Sequence, residues 1–329
     1  MTAVARRAPA ADKVRDAYRE CERITRQQAK NFSYGIALLP GDKRRALSAV
    51  YALARRIDDI GDGSMPASDK FAALERSRSA LGSLGDGGDR ADDHDSGPGT
   101  SDDQVLIALG DAVARFPIPV GAFGELIDGC EADVRGTSYA TFADLEHYCR
   151  CVAGSIGRLS LGVFGSSDPA AAEPLADSLG VALQLTNIMR DIREDLGNGR
   201  VYLPADDIER FGCTIAPGGQ DDRGTLSGEL GDLIRFEAER ARQWYAVGMR
   251  LMPLLDRRSA ASTGAMAGIY SRLLDHICAA PQVALESRMS LPAREKAMVA
   301  AGALAGMARR PRARQREQAA SAGAPGGRP

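Results

Sequence analysis

The feature that most constrains this chain is a pair of polar rows, about 130 positions apart, each spaced for one side of a helix. Steps of three and four residues bring the members of each row onto one helix face. The first row, within YALARRIDDIGD, consists of Tyr51, Arg55, Asp58 and Asp62. The second row, within QLTNIMRDIRED, consists of Gln184, Asn187, Asp191 and Asp195. Both rows lie in apolar sequence, so we expect packed helices and buried acids.

The acids of the two rows favour a metal site. Buried carboxylates repel one another and lose hydration, so they need a compensating cation. Mg²⁺ prefers oxygen ligands and is usually held by one or two carboxylates together with substrate phosphate. If the two rows face each other across a cavity, their aspartates would hold Mg²⁺ ions, and these ions would hold a polyphosphate.

Two other interpretations of the rows stay open. Acidic pairs at i and i+4 are common on solvated helix faces, which would explain Asp58 and Asp62 alone. An internal salt-bridge network that fixes helix pairing would explain Asp191 and Asp195. The second row, however, is a continuous lining of four polar groups, which is more than one pair requires. The residues therefore favour a ligand-binding role over either alternative.

Several function classes are disfavoured by what the sequence lacks. The three histidines are absent from both rows, which argues against zinc and against histidine-based acid–base or triad catalysis. The chain contains no GxxxxGK[ST] loop and no GxGxxG after a strand, so ATP or NAD binding by those means is unsupported. A formal net charge of −2 provides no global field that favours nucleic acid.

Composition predicts a soluble, cytoplasmic protein with a substantial core. A chain of 329 residues with 44% hydrophobic content can bury one large core or two modest ones. The six cysteines form no CxxC pair, which favours reduced thiols over zinc or disulfides. Arg6 and Arg7 precede no apolar segment of an export signal. The longest apolar run, 298–308, is too short to span a bilayer.

Apolar periodicity predicts one all-α domain over 12–308. Three-and-four spacing of apolar residues recurs along the chain, whereas alternating β-branched runs are rare. The predicted helices cover 12–31, 42–60, 68–84, 103–116, 119–134, 141–165, 170–197, 226–255, 259–280 and 290–308.

Three segments have the composition of disordered chain: the N-terminus 1–11, the Gly/Asp-rich loop 85–103 and the basic tail 309–329. The loop lacks the spacing and the closing glutamate of an EF-hand, so we expect a solvated loop and no calcium site. Attraction of the tail to anionic lipid headgroups is an alternative to a plain tail, and it would place the protein peripherally at the inner face of a membrane.

Local signals refine the helix boundaries. Asp42 is expected to cap the second helix, and Pro204 to begin a short helix after the Gly-Asn-Gly stop at 197–199. Between the rows, one helix carries Gly154, Gly157 and Gly162, which give it a thin face, that is, a face with almost no side-chain atoms. That face suits either close helix packing or the wall of a groove for a long apolar ligand, and the sequence does not decide between them.

Four segments together resemble the squalene/phytoene synthase family, in that family's order and spacing. They are FSYGIALLP (32–40), YALARRIDDIGD (51–62), YCRCVAGSIG (148–157) and LQLTNIMRDIREDLGNGRVYLP (183–204). The likeness covers roughly residues 15–307 and is stronger than any single motif could provide. Within the family, ATFADLEHYCRCVAGSIGRLSLGVFG and VYLPADDI look most like bacterial presqualene diphosphate synthases.

The resemblance implies an isoprenoid-synthase helical bundle around a central apolar cavity and head-to-head condensation of two prenyl diphosphates. It implies Mg²⁺–diphosphate ligands at Asp58, Asp62, Asp191 and Asp195. It implies catalytic or substrate-contacting roles for Phe32, Tyr51, Arg55, Tyr148, Gln184, Asn187, Arg190, Tyr202, Tyr270 and Arg288. The sequence departs from many members at Ala29 and Asn31, where they carry serines, so a hydroxyl contact to diphosphate is not expected there.

The activity expected from this resemblance is formation of presqualene diphosphate from two farnesyl diphosphates, in squalene or hopanoid synthesis. Phytoene, dehydrosqualene or squalene formation within the same family is the alternative, and a non-catalytic helical partner of a synthase is a distant third. The expected partners are prenyl diphosphates, a membrane surface through the basic tail and a downstream pathway enzyme.

Overall fold

The computed structural model describes residues 9–85, 103–217 and 225–308, and helices dominate these residues. The helices are α1 (Pro9–Gln28), α2 (Phe32–Ile36), α3 (Gly41–Asp62), α4 (Ala67–Gly85), α5 (Gln104–Arg115), α6 (Ala122–Arg135), α7 (Phe142–Cys149), α8 (Ser155–Phe164), α9 (Pro169–Gly197), α10 (Ala205–Arg210), α11 (Leu230–Gly248), α12 (Arg257–Ala279), α13 (Pro281–Glu286) and α14 (Ala293–Ala308). The all-α prediction is confirmed.

Helix starts follow ordinary capping chemistry. The Asp103 carboxylate accepts hydrogen bonds from the Val105 and Leu106 amides at 2.9 and 3.3 Å and so caps α5. Thr141 and Asp144 form a reciprocal capping box at α7. The prediction that Asp42 caps α3 is wrong, because Pro40 occupies that position and Asp42 lies inside the first turn.

The acidic rows lie on α3 and α9. Helix α9 is the longest helix of the described chain and packs against α8, α11 and α12. Its apolar side, which includes Leu185 and Met189, is almost fully buried. Helix α3 packs against α1, α5 and α6 through side chains such as Leu53 and Ile57. Burial of the apolar sides fixes which side of each helix carries its row.

Glycines allow the π-helical segment and α8 to pack closely against α9 and against the loop before α6. A Cβ atom on Gly157 would lie 2.5 Å from the carbonyl oxygen of Ala176, and one on Gly162 would lie 2.7 Å from that of Pro117. A Cβ atom on Gly154 would meet the carboxylate of Asp177. Neighbouring protein therefore fills the thin face, so close packing is the correct interpretation and the groove wall is wrong.

The predicted helix over 141–165 is divided by a π-helical segment, Arg150–Gly154, between α7 and α8. Wider π turns are typical insertions within α-helices, and apolar periodicity does not reveal them. The predicted helix over 226–255 likewise ends as a 3₁₀ segment, Met249–Leu254, which contains Pro253. Proline lacks the amide hydrogen that a continuing helix needs.

Short elements account for the remaining differences from prediction. Helices α2 and α13 were not predicted, nor was the antiparallel hairpin of β1 (Thr214–Ala216) and β2 (Thr225–Ser227). Three-residue strands are too short for an alternating pattern. The short helix predicted after Pro204 is present as α10, and α9 ends at Gly197 as predicted.

The predicted disordered segments lie largely outside the described residues: 1–8, 86–102 and 309–329 are not described. Helix α1 already includes 9–11, and Asp103 caps α5, so these boundaries differ by a few residues from prediction. Among the described helices, none has the length and apolarity needed to span a bilayer.

Candidate active site

The row on α3 occupies the last three turns of that helix. The Arg55 guanidinium donates to the carboxylates of Asp58 at 3.0 Å and Asp59 at 2.5 Å. The side chains of Asp58 and Asp62 are 48% and 51% exposed. Full burial of this row was therefore a wrong expectation, because the row runs to the end of α3, where the helix meets solvent. Burial of the carboxyl in a recess, reinforced by Asp62, nevertheless raises the pKa of Asp58 to about 6.

The row on α9 is more enclosed. The amide of Asn187 donates to Gln184 at 3.2 Å, and the Asn187 Oδ1 atom is buried without a hydrogen-bond partner among the described residues. Asp191 is 16% exposed and pairs with Arg190, while Arg288 Nε approaches it at 3.1 Å. Burial, with Asp191 nearby, raises the pKa of Asp195 to about 8. This row therefore holds unbalanced negative charge and an unused acceptor.

Arg200 connects the two rows. Its Nη1 atom lies 2.7 Å from Asp62 at the end of α3, and its Nη2 atom donates to the Gly61 carbonyl at 3.3 Å. Its backbone amide donates to the carbonyl of Asp195 at 2.8 Å. Burial raises the pKa of Asp195, and the charge of the Arg200 guanidinium offsets part of this rise. Arg200 therefore interacts with an aspartate from each row, Asp62 of α3 and Asp195 of α9. That the two rows hold common cations stays a prediction.

Asp133 of α6 lies between the rows and was not predicted. Its carboxylate accepts hydrogen bonds from the hydroxyls of Tyr148 at 3.0 Å and Tyr202 at 2.8 Å. It contributes to raising the pKa of both Asp58 and Asp195. A single acid without a spaced partner leaves no pattern in sequence, and only the packing of α6 beside α3 reveals it.

Two of the predicted active-site tyrosines form a buried aromatic group. Tyr148 and Tyr202 are 5% and 8% exposed, and their ring centroids are 5.2 Å apart in a stacked arrangement. Tyr139 packs against both rings. Burial raises the pKa of Tyr202 far above its ordinary value, so it is a neutral hydroxyl donor to Asp133.

The other predicted aromatic residues form a second group, around Arg190. The ring of Phe32 lies 5.7 Å, centroid to centroid, from that of Tyr270. Burial alone would lower the pKa of the Arg190 guanidinium. Asp191 and Tyr270 more than offset this effect, so the pKa is raised. Burial, opposed by Arg55 and reinforced by Asp58 and Asp59, raises the pKa of Tyr51 to about 12. The structure thus divides the predicted tyrosines between two groups.

Lys296, which the sequence did not single out, lies close enough to Arg190 and to the exposed Lys30 to be repelled by both. Burial, followed by repulsion from Arg190 and Lys30, lowers the pKa of Lys296 on α14. Neither lysine forms an ion pair with the described residues. Like charges brought together in a partly buried site require an anion to balance them.

The donor set fits a divalent metal bound together with a polyphosphate. In the described parts of the chain, no three acidic, histidine or cysteine side chains already converge into a metal cage. Mg²⁺ does not require one, since it keeps several waters and takes one or two carboxylates plus phosphate oxygens. The pKa values of Asp58 and Asp195 are raised, so a cation bound beside these carboxylates would stabilise their charged forms. The Asn187 Oδ1 atom has no partner, so it could accept a hydrogen bond from a ligand.

A small cavity of about 10 Å³ adjoins Asp195, Arg200 and Tyr202, which is room for roughly one water. The end of the α9 row is therefore closely packed. The central apolar cavity implied by the resemblance stays a prediction.

An all-α bundle with an aspartate pair on each of two helices is consistent with the isoprenoid-synthase fold. A model of the squalene/phytoene synthase family matches residues 25–295. This chain belongs to the squalene/phytoene synthase family of prenyltransferases, as the sequence motifs indicated.

Named relatives extend over most of the chain. The phytoene synthase of Mycobacterium tuberculosis is 48% identical over 295 residues, which cover 89% of this chain and 92% of that protein. The phytoene synthase of Arthrospira platensis is 35% identical over 280 residues, with 80% and 84% covered.

Solved structures support the same fold. A dehydrosqualene synthase in complex with a ligand matches with a TM-score of 0.75 and 25% identity, over 91% of this chain and 99% of that one. The squalene synthase of Alicyclobacillus acidocaldarius matches with a TM-score of 0.68 and 30% identity, over 84% and 97%. These relatives support head-to-head prenyl condensation as the shared activity.

Proposed function

We propose that this protein condenses two prenyl diphosphates head to head in a Mg²⁺-dependent reaction. The observation that carries the proposal is that Arg200 pairs with Asp62 of α3 and acts on Asp195 of α9, while the pKa of Asp58 and that of Asp195 are both raised. Such a concentration of negative charge requires cations, and a diphosphate is the ligand that recruits cations and arginines together.

Phytoene, formed from two geranylgeranyl diphosphates, is the product we propose first. The relatives at 48% and 35% identity are both named phytoene synthases. Presqualene diphosphate from farnesyl diphosphate, the expectation from sequence, is the second candidate, because the matching structures are titled dehydrosqualene and squalene synthases. A role in hopanoid synthesis and contact with a downstream pathway enzyme stay predictions.

The two aspartate pairs would hold Mg²⁺, namely Asp58 and Asp62 on α3 and Asp191 and Asp195 on α9. Bound there, Mg²⁺ would neutralise charge on the leaving diphosphate. Arg55, Arg190 and Arg288 now pair with carboxylates of the rows, and each can donate to phosphate oxygens in the same region. Lys296 adds positive charge beside Arg190.

The reaction follows from this charge arrangement. The allylic C–O bond of the first substrate breaks, and its electron pair leaves with the diphosphate. The double bond of the second chain attacks the resulting allylic cation, and loss of a proton closes a cyclopropane that still carries the second diphosphate. To give phytoene, the second C–O bond then breaks and its electron pair leaves with the second diphosphate, the cyclopropylcarbinyl cation rearranges to join the chains head to head, and a second proton is lost. The aromatic faces of Phe32 and Tyr270 lie beside Arg190, where they can stabilise a cation and exclude water. Loss of the proton to the released diphosphate and loss through a tyrosine are both compatible with this geometry.

Product analysis tests the proposal. The purified protein is incubated with Mg²⁺ and either geranylgeranyl or farnesyl diphosphate, without a nicotinamide, and the products are identified by mass spectrometry. We expect phytoene and released diphosphate from the C20 substrate. Presqualene diphosphate from the C15 substrate alone would select the second candidate, and no diphosphate release from either would overturn the proposed function.

A further inference from the structure

Arg200 is held in place by contacts with two helices. It follows α9 after the turn at 197–199, and its backbone amide donates to the carbonyl of Asp195 at 2.8 Å. At the other end of the side chain, Nη1 lies 2.7 Å from Asp62 Oδ1, and Nη2 donates to the Gly61 carbonyl at 3.3 Å. The side chain is only 15% exposed. These contacts fix a positive charge at the ends of α3 and α9.

The charge of Arg200 acts on carboxylates from three helices. Besides pairing with Asp62 of α3, it favours the ionised forms of Asp133 on α6 and Asp195 on α9. The three other arginines that contact the rows pair with acids of one helix each, namely Arg55, Arg190 and Arg288. Arg200 is therefore a counter-charge that both rows share.

A fixed positive charge beside carboxylates lowers their affinity for a divalent cation. The repulsion between the two like charges is stronger where burial lowers the local dielectric constant. Diphosphate carries negative charge, and it can offset the charge of an arginine nearby. A divalent cation that binds together with diphosphate therefore meets less repulsion than one that binds alone.

We propose that Arg200 makes the binding of Mg²⁺ to the two aspartate pairs depend on diphosphate. Its guanidinium partly neutralises Asp62 and Asp195, so the pairs hold the ion weakly until phosphate oxygens arrive. By reciprocity, Mg²⁺ strengthens the binding of diphosphate by the same factor. The inference rests on the proposed function, since it takes these aspartates as the Mg²⁺ ligands.

A purely structural ion pair predicts the opposite sign. If Arg200 served only to join α3 to the segment after α9, its loss would let the aspartates move apart and would weaken metal binding. If the charge of Arg200 restrains the site, loss of that charge strengthens metal binding in the absence of diphosphate. Damage to the fold does not produce such a gain in affinity.

Lys70 provides a matched control. Its ammonium group, on α4, donates to the same Gly61 carbonyl at 2.8 Å. In the part of the chain that the structure describes, Lys70 forms no ion pair with an acid of either row. K70Q therefore removes a positive charge from the same carbonyl without removing a partner of the aspartates.

Titration of the full chain with Mn²⁺, at low ionic strength and without diphosphate, tests the inference. The electron paramagnetic resonance signal of free Mn²⁺ gives the dissociation constant. R200Q and R200M remove the charge, R200K keeps it with a different hydrogen-bonding geometry, and K70Q is the control. Melting temperatures establish which variants are folded, and the use of two neutral variants keeps the test valid if one of them does not fold.

We expect R200Q and R200M to bind Mn²⁺ at least about tenfold more tightly than the wild type, while R200K and K70Q stay within about threefold of it. Unchanged or weaker binding in the neutral variants would overturn the inference. An equal gain in K70Q would assign the effect to bulk charge, and an equal gain in R200K would assign it to geometry. Either result would also overturn the inference.

A second titration, with a non-ionising thiolo analogue of geranylgeranyl diphosphate present, separates this inference from the proposed function. The wild type should gain affinity for Mn²⁺ when the analogue is added, and the gain should be at least about tenfold smaller in R200Q. An equal gain in the two proteins would overturn the inference and leave the proposed function intact. No Mn²⁺ binding with the analogue in any variant, together with no turnover, would overturn the proposed function itself.

Discussion

Arg200 Nη1 lies 2.7 Å from Asp62 Oδ1, so an ion pair joins the last residue of α3 to the segment that follows α9. The side chain of Arg200 is only 15% exposed. It also acts electrostatically on Asp133 and Asp195, so one guanidinium balances carboxylates from three parts of the fold.

Replacement of this arginine should destabilise the metal-free protein. R200Q leaves several carboxylates without their shared counter-charge, and we expect a loss of about 1–3 kcal/mol in the free energy of unfolding. The measurement is urea denaturation without divalent ions. R45Q is the control, because Arg45 forms an exposed pair with Asp42 and should cost under about 1 kcal/mol. Equal losses in the two variants would contradict the bridging role of Arg200.

Loss of the Asp133 carboxylate should also lower stability. D133A removes the acceptor of two buried tyrosine hydroxyls, and we expect a loss of about 2–4 kcal/mol. Y202F alone should cost only about 1 kcal/mol, because Asp133 keeps its bond to Tyr148. Denaturant titration of both variants provides the comparison. A D133A variant as stable as Y202F would show that the carboxylate does not organise the tyrosine group.

Asp256 should contribute to the acid sensitivity of the fold. Burial raises the pKa of this carboxyl, but Lys43 at 2.7 Å and hydrogen bonds from Ser259 outweigh it and lower the pKa to about 2. The ordinary value is 3.8, so the folded state favours the ionised form. Its stabilisation is present above about pH 4 and is lost as the pH falls toward 2.

Because Asp256 is 47% exposed, solvent screening reduces the expected effect to about 1 kcal/mol. D256N should therefore be less stable than the wild type at pH 6, and the difference should shrink as the pH falls toward 2. Denaturation midpoints measured across this range test the expectation. A stability difference that stays constant with pH would show that the charge of Asp256 is not responsible.

Two glycine substitutions should have opposite effects on stability. G157A would place a Cβ 2.5 Å from the Ala176 carbonyl oxygen, where backbone meets backbone, and should cost about 1–3 kcal/mol. G82A lies in α4 with open space around the new atom, and should stabilise by about 0.5–1 kcal/mol. Thermal melting of the two variants compares them. Stabilisation in both would mean that α8 and α9 separate at little cost.

The sequence predicts the parts of the site that repeat along a helix. The spacing of Asp58 and Asp62, and of Asp191 and Asp195, is set by the helical period and is readable before any tertiary contact is known. That the two rows share cations stays a prediction. The degree of burial was less predictable, since Asp62 lies at a helix end whose exposure depends on neighbouring elements.

Residues that act through tertiary contact were not predictable in this way. Asp133 has no acidic partner three or four positions away on α6, and its function as an acceptor depends on two tyrosines from other elements. Lys296 approaches Arg190 only because α14 packs across α12. The glycines of α8 were visible in sequence. Close helix packing and a ligand groove both explain them, and these explanations differ only in whether protein or a ligand fills the neighbouring space.

Mn²⁺ binding in the presence of a non-ionising thiolo analogue of geranylgeranyl diphosphate, followed by electron paramagnetic resonance, tests the central claim most directly. The wild type should bind Mn²⁺ tightly only together with the analogue, since phosphate oxygens complete the ligand set. D58N and D191N, one from each row, should each weaken this binding at least about tenfold and lower turnover by about 10²–10³-fold. E75Q, an exposed acid on α4, should behave as wild type. Wild-type Mn²⁺ binding in both row variants would contradict the account.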